Sequence, residues 1–169
     1  TRGVRPDVLE KLSDDEPPSQ LYISIEAYNK EKYEQINKPL VPRAWELTMK
    51  SLEIMSSFPS PTVLRITAIK GINMDKDAVE GFSKIIEIAN PKYIEIKAYM
   101  HVGSSTQRLT KSNMPSFNDV REFSVELSKT TGIPIRSYAK DSRVVLLSEL
   151  EQPIRHGKGC SNYIWLSKS

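Results

Sequence analysis

Three stretches of the chain alternate apolar and polar residues with a period of two, the pattern of a β-strand with two different faces. They cover residues 21–27, 62–69 and 92–99. One face of each carries Leu, Ile or Ala, and the other face carries polar side chains, among them Ser24, Glu26, Arg65, Thr67, Glu95 and Lys97. A parallel strand buried on both faces is instead almost continuously apolar. We therefore expect one face to pack on helices and the other to line a polar interior.

Helical patterns separate these strands, and we expect helices over 6–12, 43–57, 75–89 and 116–131, with a helical turn over 29–36. Pro42 is expected in the first turn of the second helix, and Asp75 in that of the third. Ser116 and Asp119 form a capping-box pattern for the fourth helix, which Gly132 ends. Residues 14–18 are expected to form a loop, and two further strands are expected at 133–138 and 143–148.

Strands that alternate with helices predict an α/β fold with a parallel sheet and right-handed crossovers. Two architectures fit, an open doubly wound sheet and an arc of a (β/α) barrel. The polar strand faces favour the arc of a partial, TIM-like barrel over residues 1–148, followed by a C-terminal tail at 149–169 that we expect to be flexible. Because a complete barrel takes about 250 residues, and because the chain begins at Thr1 rather than Met, we expect it to be part of a longer or split protein.

Composition excludes several classes of protein. The single cysteine, Cys160, excludes an internal disulfide and any Cys-rich metal site within the chain. It is consistent with a reducing, cytoplasmic location. The net charge of +3 is too small to indicate nucleic-acid binding by itself. No apolar run approaches the length of a membrane span, and no leader precedes the fold, so we expect no membrane association.

The charged strand residues are the first candidates for binding. Arg65 and Lys97 would attract a carboxylate or a phosphate, and Glu26 would accept hydrogen bonds from ribose hydroxyls. The alternative is a structural ion pair between Arg65 and Glu95. Lys70 and Asn73, in the loop after the second strand, lie where barrels place their active sites, although this loop is equally consistent with a simple turn.

The connection at 100–115 is much longer than a usual strand-to-helix loop, and such loops are generally functional or disordered. Its apolar residues favour an ordered loop. Its hydroxyl and basic side chains suit a phosphate, and they include Ser104, Ser105, Arg108 and Lys111. His101 and His156 lack the partners of a metal site, so we expect no metal to be bound by this chain.

Three segments resemble one family closely. They are LYISIEAYNKEKYEQINKPL at 21–40, RITAIKGINM at 65–74 and YIEIKAYMHVGSSTQRLTKSNMPSFNDVREF at 93–123. They resemble the C-terminal half of the radical S-adenosylmethionine (SAM) enzymes of wybutosine synthesis, the archaeal-type tRNA 4-demethylwyosine synthases. The resemblance covers residues 1–148 and implies a partial (β/α) barrel. It implies a lyase that condenses pyruvate carbons onto N1-methylguanosine beside the anticodon of phenylalanine tRNA, with SAM and iron–sulfur clusters as cofactors.

By resemblance, the residues near SAM and the barrel mouth would be Ser24, Glu26, Arg65, Thr67, Lys70 and Asn73. Those toward pyruvate or tRNA would be Glu95, Lys97, Ser104, Ser105, Arg108, Lys111 and Asn113. The family's cluster-binding cysteines have no counterpart here, so the chain alone is expected to be inactive. The family also often has Asp-Ala-Pro where this chain has Glu26-Ala27-Tyr28, Gly at Ala98 and His at Phe117.

Three hypotheses follow from this resemblance. The chain is part of such an enzyme, or it is one subunit of a split enzyme whose cysteine-bearing part is a separate chain. The third hypothesis is a non-catalytic module that binds tRNA through the 100–115 loop and the basic tail.

Overall fold

The computed structural model describes residues 1–152 and 154. Five helices and five strands are present in this range, together with two short 3₁₀ turns at Gly103–Gln107 and Lys111–Asn113. In chain order the elements are α1 (Pro6–Asp14), β1 (Leu21–Ile25), α2 (Lys30–Asn37), α3 (Ala44–Met55), β2 (Thr62–Ala68), α4 (Lys76–Ala89), β3 (Tyr93–Ala98), α5 (Phe117–Thr131), β4 (Ile135–Ala139) and β5 (Val144–Leu147). The fold is mixed α/β, as predicted.

The strands form one sheet in the order β1-β2-β3-β5-β4. β1, β2 and β3 are parallel, whereas β5 runs antiparallel to both β3 and β4. The prediction of a wholly parallel sheet is therefore wrong at β5. The physical reason is the short connection between β4 and β5, since a parallel pair requires a crossover of a dozen or more residues and a tight turn permits only a hairpin.

The apolar faces of the strands pack on helices, as the alternation predicts. Ile23, Ile25, Leu64, Ile66 and Ile96 are each 0% exposed. They share one core with buried side chains of α3, α4 and α5, namely Leu52, Met55, Phe82, Ile86, Phe123 and Leu127. Burial of one such side chain contributes roughly 1.5–3 kcal/mol, so this single layer of contacts holds the polar faces of the strands toward the opposite side of the sheet.

Helix ends follow local chemistry more closely than apolar periodicity. The side chain of Asp75 caps α4, and Ser116 and Asp119 form the predicted capping box at α5. Gly132 ends α5 with a φ of 75°, a conformation that glycine adopts without steric cost. Pro42, in contrast, lies before α3, whose N-cap is Arg43. α1 continues to Asp14, which shortens the predicted loop after it.

The long connection after β3 is ordered around its two 3₁₀ turns. Its far end is fixed to the loop after β2, because Lys70 donates its backbone N–H to the carbonyl of Asn113, at 3.0 Å. The Asn113 amide donates in return to the carbonyl of Lys70, also at 3.0 Å. Most of the predicted tail at 149–169 lies outside the described residues. Within the described residues, none of the helices has the length and apolarity needed to span a membrane.

Candidate functional site

The polar face of the parallel strands is arranged in two layers. In the first layer, strand register places Ser24 opposite Arg65 and Arg65 opposite Glu95. In the second layer, which is nearer the carboxyl ends of the strands, Thr67 lies opposite Lys97. Glu26 directly follows β1 on the same face. The side chains of both layers are half-buried, so each remains partly accessible from the polar side.

The first layer is closed by an ion pair. The Nε of Arg65 donates to Oε1 of Glu95 at 2.7 Å, and the guanidinium carbon lies 4.9 Å from the ring centroid of Tyr22. The side chain of Glu95 is only 14% exposed, so removal of Arg65 would leave a largely desolvated carboxylate without its partner. The structural ion pair that was the alternative to ligand binding is therefore present at this layer.

The second layer contains an amine without an internal partner. Among the described residues, the Nζ of Lys97 has no hydrogen-bond or ion-pair partner, although the residue is half-buried. Glu26 contacts Arg2 at 3.4 Å, and the Glu26 side chain is 12% exposed. A partly desolvated cation and a carboxylate that line the same groove suit a ligand that carries both a negative charge and hydroxyl groups.

Both layers line a groove of about 690 Å³. Its walls include eight of the predicted residues, on the strands and in the loop after β3, together with others that the sequence did not suggest. The predicted members are Ser24, Glu26, Arg65, Thr67, Lys97, Ser104, Ser105 and Arg108.

A larger groove of about 1210 Å³ lies on the other side of the sheet, between α4 and α5. It holds no second-layer residue, and a Lys70–Asp119 ion pair spans part of it, so we assign the site to the smaller groove.

Two predicted cofactor residues lie elsewhere. Asn73 is 0% exposed, and its amide donates to the backbone carbonyls of Glu26 and Thr67, at 2.6 and 2.9 Å. It also accepts the backbone N–H of Ile69 at 2.6 Å. Asn73 therefore holds the ends of β1 and β2 together instead of facing the groove. Lys70 points to Asp119, at 3.1 Å, on the helical side.

The predicted residues of the long loop also fall into two groups, those that line the groove and those that do not. Ser104 and Arg108 line the groove, and neither side chain has a partner among residues 1–152 and 154. Ser105 also lines it, but its hydroxyl donates to the carbonyl of Val102. Lys111 is exposed beyond the groove, and Asn113 is used in fixing the loop to Lys70. Glu95 is occupied by Arg65 and does not belong to the set of free groove side chains.

Several groove residues were missed from the sequence. Arg2, Asn37 and Tyr99 line the groove, and Arg2 donates to Asn37 Oδ1 at 2.7 Å. Arg2 precedes the first helix and Asn37 ends α2, so neither belongs to the alternating strand pattern. Tyr99 follows directly after β3, and its two-residue spacing from Lys97 was an available indication.

The described residues do not fit an iron–sulfur cluster. Within the described part of the chain, no group of three or more His, Cys, Asp or Glu side chains is placed to hold a metal. His156 and Cys160 lie outside the described residues. The groove itself fits a polar organic ligand, since its partly buried carboxylate, hydroxyl and amine groups supply both acceptors and donors.

Comparison with solved structures shows where this fold recurs. It is similar to the fold of coproporphyrinogen III oxidase HemN from Escherichia coli, a radical SAM enzyme, with a TM-score of 0.55 at 16% identity, over 85% of this chain and 32% of that one. A structure of TYW1 with a bound lysine–pyruvate adduct superposes with a TM-score of 0.75 at 32% identity, over 88% of this chain and 45% of that one.

Sequence relatives specify the family. The family model for wyosine base formation matches residues 88–149. The SAM-dependent tRNA 4-demethylwyosine synthase of Pyrococcus abyssi is 44% identical over 149 residues, 87% of this chain and 43% of that protein. The synthase of Oryza sativa is 35% identical over 78% of this chain and 20% of that protein. The chain matches the C-terminal half of the tRNA 4-demethylwyosine synthases. It spans less than half the length of these relatives.

Proposed function

We propose that the protein containing this chain makes 4-demethylwyosine in tRNA, and that the groove on the polar face is its substrate side. The observation that carries the proposal is the second layer, where Lys97 offers an amine that has no partner among the described residues, at the carboxyl ends of parallel strands. Enzymes built on parallel (β/α) units place their active sites at this end. The relatives named as synthases support the activity.

The groove suits SAM on its Glu26 side. The Glu26 carboxylate can accept hydrogen bonds from ribose hydroxyls, and Ser24 and Thr67 add hydroxyl groups on the same face. Bound SAM supplies radical chemistry in this class of enzyme, and this chain's residues orient the nucleoside. The iron–sulfur clusters require cysteines that the described residues lack, so we assign their ligands to the N-terminal half or to a separate cysteine-bearing chain.

Pyruvate suits the Lys97 side of the groove. The charge of the Lys97 amine attracts the carboxylate of a keto acid, and a TYW1 structure with a lysine–pyruvate adduct supports a lysine at the pyruvate site of the family. Arg65 is held by Glu95 and Tyr22 and therefore forms the floor beneath the ligand.

The loop after β3 suits the tRNA. Ser104, Arg108 and Lys111 are exposed and have no side-chain partners among the described residues, so they are available to phosphate oxygens near the anticodon. We also propose that the three parallel strands form an arc of a partial barrel. Its open end is the outer edge of β1, where Thr1 is hydrogen-bonded to the backbones of Tyr22 and Ser24 at 2.9 Å each. A cytoplasmic location stays a prediction.

Substitution of Lys97 in the full-length, cluster-loaded enzyme tests the proposal. Lys97→Met should lower formation of 4-demethylwyosine at least about tenfold, which is ~1.4 kcal/mol of transition-state stabilisation, and should leave the melting temperature nearly unchanged. Lys84→Met, which removes an exposed lysine on α4, is the matched control. Arg65→Ala should lower activity and stability together. Full activity of Lys97→Met would contradict the proposal.

The alternative of a non-catalytic tRNA-binding module is not favoured by the relatives, which are named as synthases. A cysteine-rich motif in the same protein or in an adjacent reading frame would support an intact or a split enzyme. Tight binding of the anticodon arm by a protein without any such motif or partner would support the module.

A further inference from the structure

A directional chain of hydrogen bonds lies beside the groove, at the start of the long loop. Tyr99 donates its hydroxyl to Ser105 Oγ at 2.9 Å, and Ser105 donates to the carbonyl of Val102 at 2.7 Å. The Nδ1 of His101 lies 3.2 Å from the Tyr99 oxygen. Tyr99 is only 5% exposed, so these hydrogen bonds begin on a buried side chain directly after β3.

Proton counting fixes the direction of the chain. The carbonyl of Val102 only accepts, so the single Ser105 proton is used there, and Ser105 must accept from Tyr99. The single Tyr99 proton is then used on Ser105, so the Tyr99 oxygen accepts from His101 Nδ1–H. Neutral His101 is therefore the tautomer with its proton on Nδ1.

The consequence concerns the residues on either side of Ser105. The backbone carbonyl of Ser105 accepts the N–H groups of Arg108 and Leu109 at 3.0 and 2.9 Å. Ser104, next to Ser105 in the Gly103–Gln107 turn, and Arg108, which directly follows the turn, both line the groove. The far end of the loop is fixed separately at Asn113, so Tyr99 is the anchor nearest to Arg108 on the β3 side.

We propose that Tyr99 is a positioning residue that, oriented by His101, holds the Gly103–Gln107 turn so that Ser104 and Arg108 meet a phosphate of bound RNA. The inference rests on the proposed function, since RNA is the anionic ligand. It changes the role of Ser105, whose proton is committed to Val102. Ser105 transmits the position of Tyr99, and the contacts to phosphate come from its neighbours.

A double-mutant cycle in the full-length protein tests the coupling, with the anticodon arm of phenylalanine tRNA as the probe. Tyr99→Phe removes one hydroxyl and keeps the buried ring, whereas Tyr138→Phe makes the same change at a side chain that is 41% exposed. We expect Tyr99→Phe to weaken binding about 3- to 10-fold and Tyr138→Phe to leave it unchanged. Arg108→Ala should weaken binding and lower the salt slope by about one, and adding Tyr99→Phe to it should cause no further loss.

Fully additive losses, or equal binding by the two Tyr→Phe variants, would overturn the positioning role. Histidine tautomers measured by ¹³C and ¹⁵N NMR, with His101 assigned from His101→Gln, provide a readout independent of RNA. We expect neutral His101 to carry its proton on Nδ1 in the unmodified protein, and a proton on Nε2 would overturn the inferred direction. Absence of RNA binding by the unmodified protein would contradict the proposed function instead, whatever the tautomer.

Discussion

The packing around Gly81 shows how strongly one residue constrains its neighbours. A Cβ added at Gly81 would lie 2.5 Å from Cδ2 and 2.7 Å from Cβ of Tyr28. Tyr28 packs its ring edge-on against Phe82, with centroids 5.8 Å apart, and so joins the main core from the end of β1. The absence of a side chain at Gly81 is therefore what admits the tyrosine, and helix propensity alone would instead favour alanine at this position.

Gly81→Ala should destabilise the protein by about 1–3 kcal/mol, because the ring cannot retreat without leaving its contact with Phe82. Urea unfolding followed by circular dichroism measures this change. In a Tyr28→Gly background the atoms that clash are absent, so the same substitution should be neutral or stabilising. An equal loss in both backgrounds would show that the close approach is not the cause.

At the scale of single elements, the start of α5 combines a cap with a charge. The Ser116 hydroxyl accepts the N–H of Asp119, and the Asp119 carboxylate accepts from the backbone and hydroxyl of Ser116 at 2.7 Å each. These bonds, with the Lys70 ammonium as a smaller cause, hold the pKa of Asp119 below its usual range. The helix that supports β3 and β5 thus begins at a position fixed by its own sequence.

Loss of this cap should depend on pH in a defined direction. A carboxylate whose pKa is lowered by folding stabilises the native state at pH values above its ordinary pKa, and this contribution is lost as the pH falls from about 4 through the lowered value. Asp119→Asn should therefore be less stable than the unmodified protein at about pH 6, and the difference should shrink toward about pH 2. Urea-induced unfolding at both pH values measures this difference in stability. A difference that grows as the pH falls would contradict the assignment.

Ser116→Ala isolates the other half of the box and should cost about 0.5–2 kcal/mol. Asn118→Ala is its control, since Asn118 is an exposed first-turn residue of the same helix.

Local sequence predicted the elements where one pattern or cap decides them, and failed where distant parts of the chain compete. The alternation at Leu64 and Ile66 predicted the buried face, and Ser116 predicted the start of α5. The antiparallel place of β5 between β3 and β4 depends on long-range pairing that periodicity does not encode. Asn73 was predicted as a ligand contact because its loop position is visible in sequence, whereas its three backbone partners are not.

At the scale of the whole molecule, the sheet has a protected centre and an exposed end. β2 and β3 are paired on both sides and covered by helices, while β4 is an edge strand whose residues are mostly half-buried or exposed. Local opening should therefore begin at β4 and leave the two layers of the groove intact. Arg65, Thr67 and Lys97 therefore lie on the strands that we expect to open last.

Hydrogen exchange should follow this order. Amides of Leu64, Ile66 and Ile96 should exchange slowest, close to the limit of global unfolding, and those of β4 fastest among the strands. Mass spectrometry of the full-length protein resolves the two sets of peptides. Equal protection of β4 and β2 would indicate that a further part of the protein covers this edge.

The contact between Tyr28 and Gly81 also sets an order on evolutionary change. In this structure Tyr28 has space only while position 81 lacks a Cβ. In a lineage that acquires tyrosine at position 28, glycine should therefore arise at position 81 first, and a later change of that glycine to alanine should lower stability. An alignment of relatives should show the two positions varying together, with tyrosine at the first accompanied by glycine at the second.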